Sequence, residues 1–229
     1  MRKVIFWDFD GTLAYRSKMF SSSLRMVLDE HEKDHKITDE CFGQWLQSGF
    51  PWHEPDKDHL HLRDPEAWWD NMYTVFERAY IMSGVLPEKA CVYAKEARKH
   101  LVAPEHYSLY EDTMETLKYI RESGYKNIIL SNHIPELPEI VESLGLMEYI
   151  DICISSANVG FEKPNSRIFQ QAIELADNPQ EAWMVGDNLM ADVRGAEAVG
   201  MRAILVRKPA HEPVKYFSQD LKGIIKLLN

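Results

Sequence analysis

Short apolar segments alternate with amphipathic segments along the second half of the chain. The apolar segments predict buried strands over residues 127–131, 150–155, 182–185 and 202–206. Apolar residues at helical spacing predict helices over residues 113–123, 135–144, 166–176, 190–199 and 221–228. This alternation is typical of βαβ units. We therefore expect an α/β fold with a doubly wound, mostly parallel sheet and helices on both of its faces.

The first half of the chain begins with a further apolar segment, residues 4–7, and then departs from this pattern. Residues 16–104 contain several helical patterns and no segment that predicts a strand. One of these helices is predicted to begin at Asp64-Pro65, because aspartate caps a helix and proline favours its first turn. An insert of about 90 residues has the size of a small domain. We expect an all-α domain over residues 16–104, inserted into an α/β core of residues 1–15 and 105–229.

Composition narrows the classes of partner. The 229 residues are 45% hydrophobic and carry a formal net charge of −10, which argues against nucleic acid as a partner because phosphate backbones attract basic surfaces. Cys41, Cys91 and Cys153 form no CxxC pair, as is typical of reduced thiols in a cytoplasmic protein. No apolar segment approaches the roughly 20 residues of a membrane helix, so we expect no membrane partner.

Candidate chemistry lies where the predicted strands end. Ligands of open parallel sheets bind at the carboxyl ends of the strands. The polar residues at those ends are Asp8, Asp10, Ser131, Asn132, Lys163, Asp187 and Asp192. Four carboxylates against one lysine would either hold protons or bind a hard cation. Oxygen ligands suit Mg²⁺, and a magnesium ion with a lysine and a hydroxyl could bind a phosphate.

The two aspartates of the segment DFDGT suit phosphoryl transfer. A carboxylate is ionised at pH 7, so it needs no base to act as a nucleophile. A neighbouring carboxyl group could protonate the leaving oxygen and then deprotonate the hydrolytic water. Asp8 and Asp10 could therefore divide these two tasks between them.

Four motifs in this order resemble those of the haloacid dehalogenase-like hydrolase superfamily. They are DFDGT, the strand-end Ser131, Lys163-Pro164 and GDNLMAD. The insert resembles the helical cap of that superfamily, so the resemblance covers nearly the whole chain and implies a Rossmann-like core. Dehalogenases of the superfamily lack the second aspartate of the first motif. Asp10 is present here, and this favours phosphoryl transfer over carbon–halogen cleavage. The resemblance as a whole implies a Mg²⁺-dependent phosphatase of a small phosphorylated metabolite.

The resemblance also implies residue roles. Asp8 would be the nucleophile, and Asp10 would be the general acid and base, with Lys163 stabilising charge. Phosphate binding would use Gly11, Ser131, the backbone amide of Asn132 and Lys163. The metal ligands would be Asp8, the backbone carbonyl of Asp10 and Asp187. Thr12 would order the loop, and Asp192 would orient Lys163 or a metal-bound water.

Selectivity would come from the cap, where the sequence is less specific. Candidate substrate contacts are Arg16, Trp52, His53, Arg63, Tyr73 and His133. The loop of residues 50–64 also holds three histidines with acidic neighbours, which makes a zinc site conceivable. Alternative activities on the same scaffold are a phosphomutase, a pyrophosphatase and a 2-haloacid dehalogenase. Non-enzymatic alternatives are a silent binding module and a receiver-like phosphoacceptor domain. The pattern leaves a monomer and a cap-mediated dimer open.

Overall fold

The apolar segments of the α/β part form the strands of one sheet in the computed structural model, which describes residues 2–209 and 211–228. The strands are β1 (Lys3–Trp7), β2 (Ala14–Tyr15), β3 (Ser108–Leu109), β4 (Tyr125–Ser131), β5 (Ile152–Ser155), β6 (Glu181–Gly186), β7 (Arg202–Val206) and β8 (Phe217–Ser218). The α-helices are α1 (Met19–His31), α2 (Asp39–Gly43), α3 (Pro65–Met82), α4 (Pro87–Val102), α5 (Thr113–Glu122), α6 (Leu137–Ser143), α7 (Ser156–Val159), α8 (Ser166–Leu175) and α9 (Gly195–Ala198). A π-helix spans Leu189–Arg194, and short 3₁₀ helices span Gln44–Leu46, Pro51–His53, Leu60–Leu62, Pro104–His106, Leu146–Glu148 and Lys222–Lys226.

The six strands of the main sheet are parallel and lie in the order β5-β4-β1-β6-β7-β8. Alternate residues of β1 enter different apolar clusters. Ile5 and Trp7 pack on one face of the sheet, whereas Val4 and Phe6 pack on the other. A strand buried on both faces explains why its sequence is continuously apolar. The predicted doubly wound α/β fold is confirmed.

The chain leaves and re-enters this core through a short antiparallel ribbon. Ala14 pairs with Leu109, and Tyr15 pairs with Ser108. The carbonyl oxygen of Leu13 accepts hydrogen bonds from the backbone amide of Tyr110 and from Thr113 Oγ1, at 3.2 and 2.6 Å. This ribbon was absent from the predicted strands because its strands are only two residues long, which is too short for a period-2 pattern.

The helical insert packs around large aromatic side chains. Trp68, Trp69 and Phe76 of α3 are buried in the same apolar cluster as one face of the sheet. The predicted helix start is confirmed, since the Asp64 carboxylate accepts hydrogen bonds from the backbone amides of Glu66 and Ala67. Among the described residues of the insert between β2 and β3, no strand is present.

Two predicted helices have a different form. Residues 190–199 were expected to form one α-helix, but a π-helix precedes α9 there. The carbonyl of Asn188 accepts from the amides of both Asp192 and Val193, and the second bond is the i to i−5 bond of a π-turn. The predicted helix over residues 221–228 is only the 3₁₀ turn Lys222–Lys226. Its Gly223 amide donates to Asp220 Oδ1, and glycine disfavours a longer helix.

Within the part of the chain that the structure describes, no helix combines the length and the apolar character needed to cross a membrane.

Candidate active site

The carboxyl ends of β1, β4 and β6 bring the predicted chemical residues to one edge of the sheet. After β1 the chain turns sharply, because the Phe9 carbonyl accepts from the amides of Thr12, Leu13 and Ala14. Gly11 has φ +81°, and a Cβ there would lie 2.2 Å from Asp187 Oδ2. Glycine is therefore required at this position both by the backbone conformation and by the approach of a carboxylate from the neighbouring strand.

Asp8 is the centre of a buried polar cluster. Its Oδ1 atom accepts from Ser131 Oγ at 2.9 Å and from Lys163 Nζ at 2.8 Å. Its Oδ2 atom has a longer contact of 3.5 Å with Thr12 Oγ1. One carboxylate oxygen is thus firmly held, while the other has a single, longer contact.

Asp192 and Lys163 form an ion pair beneath this cluster. Lys163 Nζ lies 2.5 Å from Asp192 Oδ1, and the two side chains are 2% and 1% exposed. The second oxygen of Asp192 accepts from the Asn188 amide at 3.0 Å. Both carboxylate oxygens of Asp192 are therefore occupied, and its contacts orient Lys163.

Burial and charge set the protonation of the cluster. Burial raises the pKa of Asp187, and the nearby Asp8 carboxylate raises it further. Burial also raises the pKa of Asp192, while the Lys163 ammonium opposes that rise. Burial alone would lower the pKa of Lys163, but Asp192 and Asp8 outweigh it and move that pKa above its usual value. Burial therefore favours the neutral forms of Asp187 and Asp192, whereas the two carboxylates beside Lys163 favour its charged form.

Three carboxylates lie close enough together that they could hold a hard divalent cation. Asp8, Asp187 and Asp192 each offer one oxygen, and these three oxygens lie within 4.8 Å of one another. An all-oxygen ligand set suits Mg²⁺. Since both oxygens of Asp192 already have partners, the freer oxygens are Asp8 Oδ2 and the Asp187 oxygen that makes no ion pair with Lys208. The only other such group among the described residues is Glu30, His31 and Glu96, so the three histidines of residues 50–64 are not included.

Asn132 joins two of the site loops. Its side-chain amide donates to the Lys163 carbonyl at 2.9 Å, and its Oδ1 accepts from the Lys163 backbone amide at 2.7 Å. This reciprocal pair fixes the loop after β4 relative to the loop that carries Lys163. Ser131, Asn132 and Lys163, three of the predicted phosphate-binding residues, are thus adjacent in space.

Two residues near the site were not predicted from the sequence. Lys208 Nζ forms an ion pair with Asp187 Oδ2. Arg207 donates from Nε to the Thr12 carbonyl at 2.8 Å and from Nη2 to Asp112 Oδ1 at 2.8 Å. Both follow the carboxyl end of β7, so the rule that located the other site residues would have located them as well.

A cavity of about 200 Å³ opens over the cluster. It is lined by Asp8, Asp10, Trp52, Ser131, Asn132, Lys163, Asp187, Asn188, Ala191 and Asp192. Trp52 is the lining residue that comes from the helical insert. Of the six candidate substrate contacts predicted from the sequence, Trp52 alone lines this cavity.

The other five candidate substrate contacts lie elsewhere. Arg16 binds the Leu101 carbonyl and Ser23 Oγ, and His53 has its ring against Phe50. Arg63 donates to the Asn158 carbonyl at 3.3 Å, and Tyr73 stacks on Trp69. His133 is buried behind Asp10 rather than on the cavity rim. The tertiary placement of the helices decides these positions, and the sequence pattern does not specify it.

Polar contacts also join the insert to the core. Glu136 Oε1 accepts from Trp69 Nε1 and from Arg98 Nη2, both at 2.8 Å. The Asn165 side chain donates to the Pro55 carbonyl at 2.8 Å. These contacts join residues far apart in sequence and hold the insert against the core.

Glu162 is a buried carboxyl group next to the site, and its ionisation is expected to affect the stability of the fold. Burial raises its pKa from 4.5 to about 7, although the Ser156 hydroxyl and Lys163 lower it. A raised pKa favours the neutral form in the folded protein, so this contribution to stability is full below pH 4.5 and is lost as the pH rises through 7. The contribution is on the order of 3 kcal/mol. We expect Glu162→Gln to gain thermal stability relative to the wild type as the pH rises from 5 to 8.

The measurement is the thermal unfolding midpoint of both proteins at several pH values. Glu174→Gln is the matched control, because Glu174 is exposed on α8. The control should follow the wild-type curve. Parallel curves for Glu162→Gln and the wild type would contradict the prediction.

The fold and the site together define a class of protein. It has a doubly wound parallel sheet, a group of carboxylates at the strand ends and a helical insert packed against the sheet. The chain belongs to the haloacid dehalogenase-like hydrolases, whose family model matches residues 2–200. The predicted family is confirmed.

Individual relatives agree with this assignment. The chain is 39% identical over 208 residues to ribulose-1,5-bisphosphate 5-phosphatase of Halopiger xanaduensis, covering 90% of this chain and 84% of the relative. It is 34% identical over 163 residues to the human haloacid dehalogenase-like hydrolase domain-containing protein 3, covering 70% of this chain and 64% of the relative. The matches span 55–64% of the length of the mammalian relatives.

A solved structure extends the likeness to the whole fold. The HAD phosphatase from Thermococcus onnurineus superposes with a TM-score of 0.65 at 25% identity, over 99% of this chain and 97% of that one. The helical insert is therefore included in the similarity.

Proposed function

We propose that this protein is a Mg²⁺-dependent phosphatase that hydrolyses a small phosphorylated metabolite through an aspartyl-phosphate intermediate. The observation that carries the proposal is the arrangement of Asp8: Ser131 and Lys163 hold one of its carboxylate oxygens, and Asp10 lies two residues away. The name of the Halopiger xanaduensis relative, ribulose-1,5-bisphosphate 5-phosphatase, supports a small phosphorylated substrate.

In the first chemical step, Asp8 attacks phosphorus and the bond to the leaving oxygen breaks. Asp10 gives its proton to that oxygen, so the product leaves as an alcohol. In the second step a water attacks the aspartyl phosphate, and Asp10 takes the proton from the water. Phosphate is released, and Asp8 returns to its starting form.

The remaining side chains position the phosphoryl group. Ser131 Oγ and the backbone amide of Asn132 would donate hydrogen bonds to its oxygens. Lys163 would stabilise the charge that Asp8 and the phosphate share. Thr12 supports Asp8, and Asp192 keeps Lys163 in place through the contact of 2.5 Å.

The metal would be held by the carboxylates of Asp8 and Asp187 and by the backbone carbonyl of Asp10. When bound, Mg²⁺ offsets the repulsion between the nucleophile and the phosphate dianion. Release of Asp187 from Lys208 would free a ligand oxygen for it, since that lysine is 70% exposed and is free to swing into solvent.

The helical insert would act as the cap, with residues 16–104 as cap and residues 1–15 and 105–229 as core. The pairing of β2 with β3 supports this division, because it places both chain crossings side by side. Trp52 would contact the leaving group, and closure over the cavity would exclude water from the aspartyl phosphate.

The proposed activity is tested with a panel of phosphorylated metabolites and 4-nitrophenyl phosphate. We expect release of inorganic phosphate in the presence of Mg²⁺, and loss of at least about 100-fold when EDTA removes the ion, because the excess carboxylate charge then repels the substrate. Excess Mg²⁺ should restore the rate. Calcium at the same concentration is the control, since its larger radius fits an octahedral site less well. Turnover that is unaffected by EDTA would contradict the metal requirement.

A further inference from the structure

His133 is a buried side chain beside Asp10 that the proposed steps do not use. Its side chain is 1% exposed, and its Nε2 atom lies 3.2 Å from Asp10 Oδ2. The ring makes an edge-on contact with Phe9, with centroids 5.6 Å apart, and a tilted contact with Tyr107 at 6.0 Å. A polar ring packed between two aromatic rings is costly to bury unless it binds a polar partner.

The backbone of His133 is fixed as firmly as its ring. Its amide donates to Ser156 Oγ at 3.2 Å, and its carbonyl accepts from Ser155 Oγ at 2.8 Å. The residue is thus held between the end of β5 and the start of α7. A residue held at both backbone groups and packed against two aromatic rings is a rigid support for a neighbouring side chain.

Asp10 is the partly exposed side chain that faces this ring. Its side chain is 38% exposed, and its Oδ2 faces His133. Its Oδ1 atom is buried and has no hydrogen-bond partner among the residues that the structure describes. The ring nitrogens of His133 likewise lack a well-aligned hydrogen bond within residues 2–209 and 211–228. Catalytic hydrogen bonds are often poorly aligned without substrate and tighten when it binds.

We infer that His133 is the positioning residue for the general acid and base, an inference that rests on the proposed phosphatase function. The Nε2–H group donates to Asp10 Oδ2 and thereby fixes the orientation of the Asp10 carboxyl group for proton transfer. During phosphorylation of Asp8, the proton of the Asp10 carboxyl group passes to the leaving oxygen as the P–O bond breaks. During hydrolysis, the Asp10 carboxylate takes a proton from water. His133 keeps its own proton in both steps.

A positioning residue for a general acid matters most when the leaving group needs a proton. 4-Nitrophenolate leaves readily without one, whereas phenolate is a poorer leaving group. The experiment measures kcat/KM for a series from 4-nitrophenyl phosphate to phenyl phosphate, because kcat/KM reports the step in which the leaving group departs. The variants are His133→Leu, which removes the donor, and His133→Gln, which keeps an N–H donor at a similar reach.

We expect His133→Leu to lower kcat/KM for phenyl phosphate by about 10- to 100-fold and that for 4-nitrophenyl phosphate by less than about threefold. His133→Gln should stay within about threefold of the wild type for both substrates. The ratio of the two substrates is independent of the folded fraction, so partial unfolding of a variant does not obscure the result.

An equal loss for both substrates would assign His133 a packing role and overturn the inference, as would unchanged kinetics in His133→Leu. Failure of the proposed function has a different signature. In that case the wild type itself releases no phosphate from the aryl series or from the metabolite panel.

Discussion

Asp8→Asn is expected to lower phosphate release from 4-nitrophenyl phosphate by at least about 10³-fold while the protein stays folded. Asparagine has nearly the same shape, and its carbonyl oxygen can still accept from Ser131 and Lys163. A neutral amide oxygen is a far weaker nucleophile than a carboxylate. Loss of the Asp8 charge also relieves repulsion on Asp187, so no large loss of stability is expected.

The measurement combines steady-state phosphate release with the thermal unfolding midpoint. Asp70→Asn serves as the control, because Asp70 is an exposed aspartate on α3. The control should match the wild type in both assays. If Asp8→Asn kept a tenth or more of the wild-type rate, Asp8 would not be the nucleophile.

Lys163→Met is expected to damage both stability and turnover. The substitution leaves Asp8 and Asp192 buried without their shared cation, and an unpaired buried carboxylate costs about 3–5 kcal/mol. Loss of the charge that faces the phosphoryl group should also lower kcat by at least about 10²-fold. Chemical denaturation gives the free energy of unfolding, and phosphate release gives the rate.

A double variant separates the two effects of Lys163. Adding Asp192→Asn to Lys163→Met removes one of the two stranded charges, so the free energy of unfolding should recover in part. Turnover should stay low, because the cation beside Asp8 is still missing. A single Lys163→Met variant as stable as the wild type would show that the buried ion pair does not stabilise the fold.

The sequence predicts most of the core of the site for a simple geometric reason. Parallel strands end at one edge of the sheet, so residues that follow β1, β4 and β6 converge whatever the details of packing. Asp8, Ser131 and Asp187 are brought together in this way, and the observed contacts agree. The family motifs located Lys163, which does not directly follow a strand.

The residues of the helical insert show what sequence patterns do not predict, namely which side chains reach the cavity. Helical periodicity identifies which side chains of α1, α3 and α4 face inward, but not how the helices sit over the sheet. Arg16 and Tyr73 therefore looked equivalent to Trp52 as substrate contacts, although only Trp52 lines the cavity. His133 is a candidate substrate contact from the sequence because its position in the loop gives no measure of burial. The burial of the His133 ring behind Asp10 depends on contacts with Phe9 and Tyr107, which are both distant from His133 in sequence.

The β2–β3 ribbon has a consequence for how this chain can change. Tyr15 and Ser108 are cross-strand partners, so the two ends of the helical insert meet at one point on the surface of the core. An insertion whose ends already touch can be exchanged for another without rerouting the backbone of the host. Trp52 lies in this insert and the strand-end carboxylates lie in the host, so on the proposed function an exchange of the insert would change selectivity while the carboxylates stay in place.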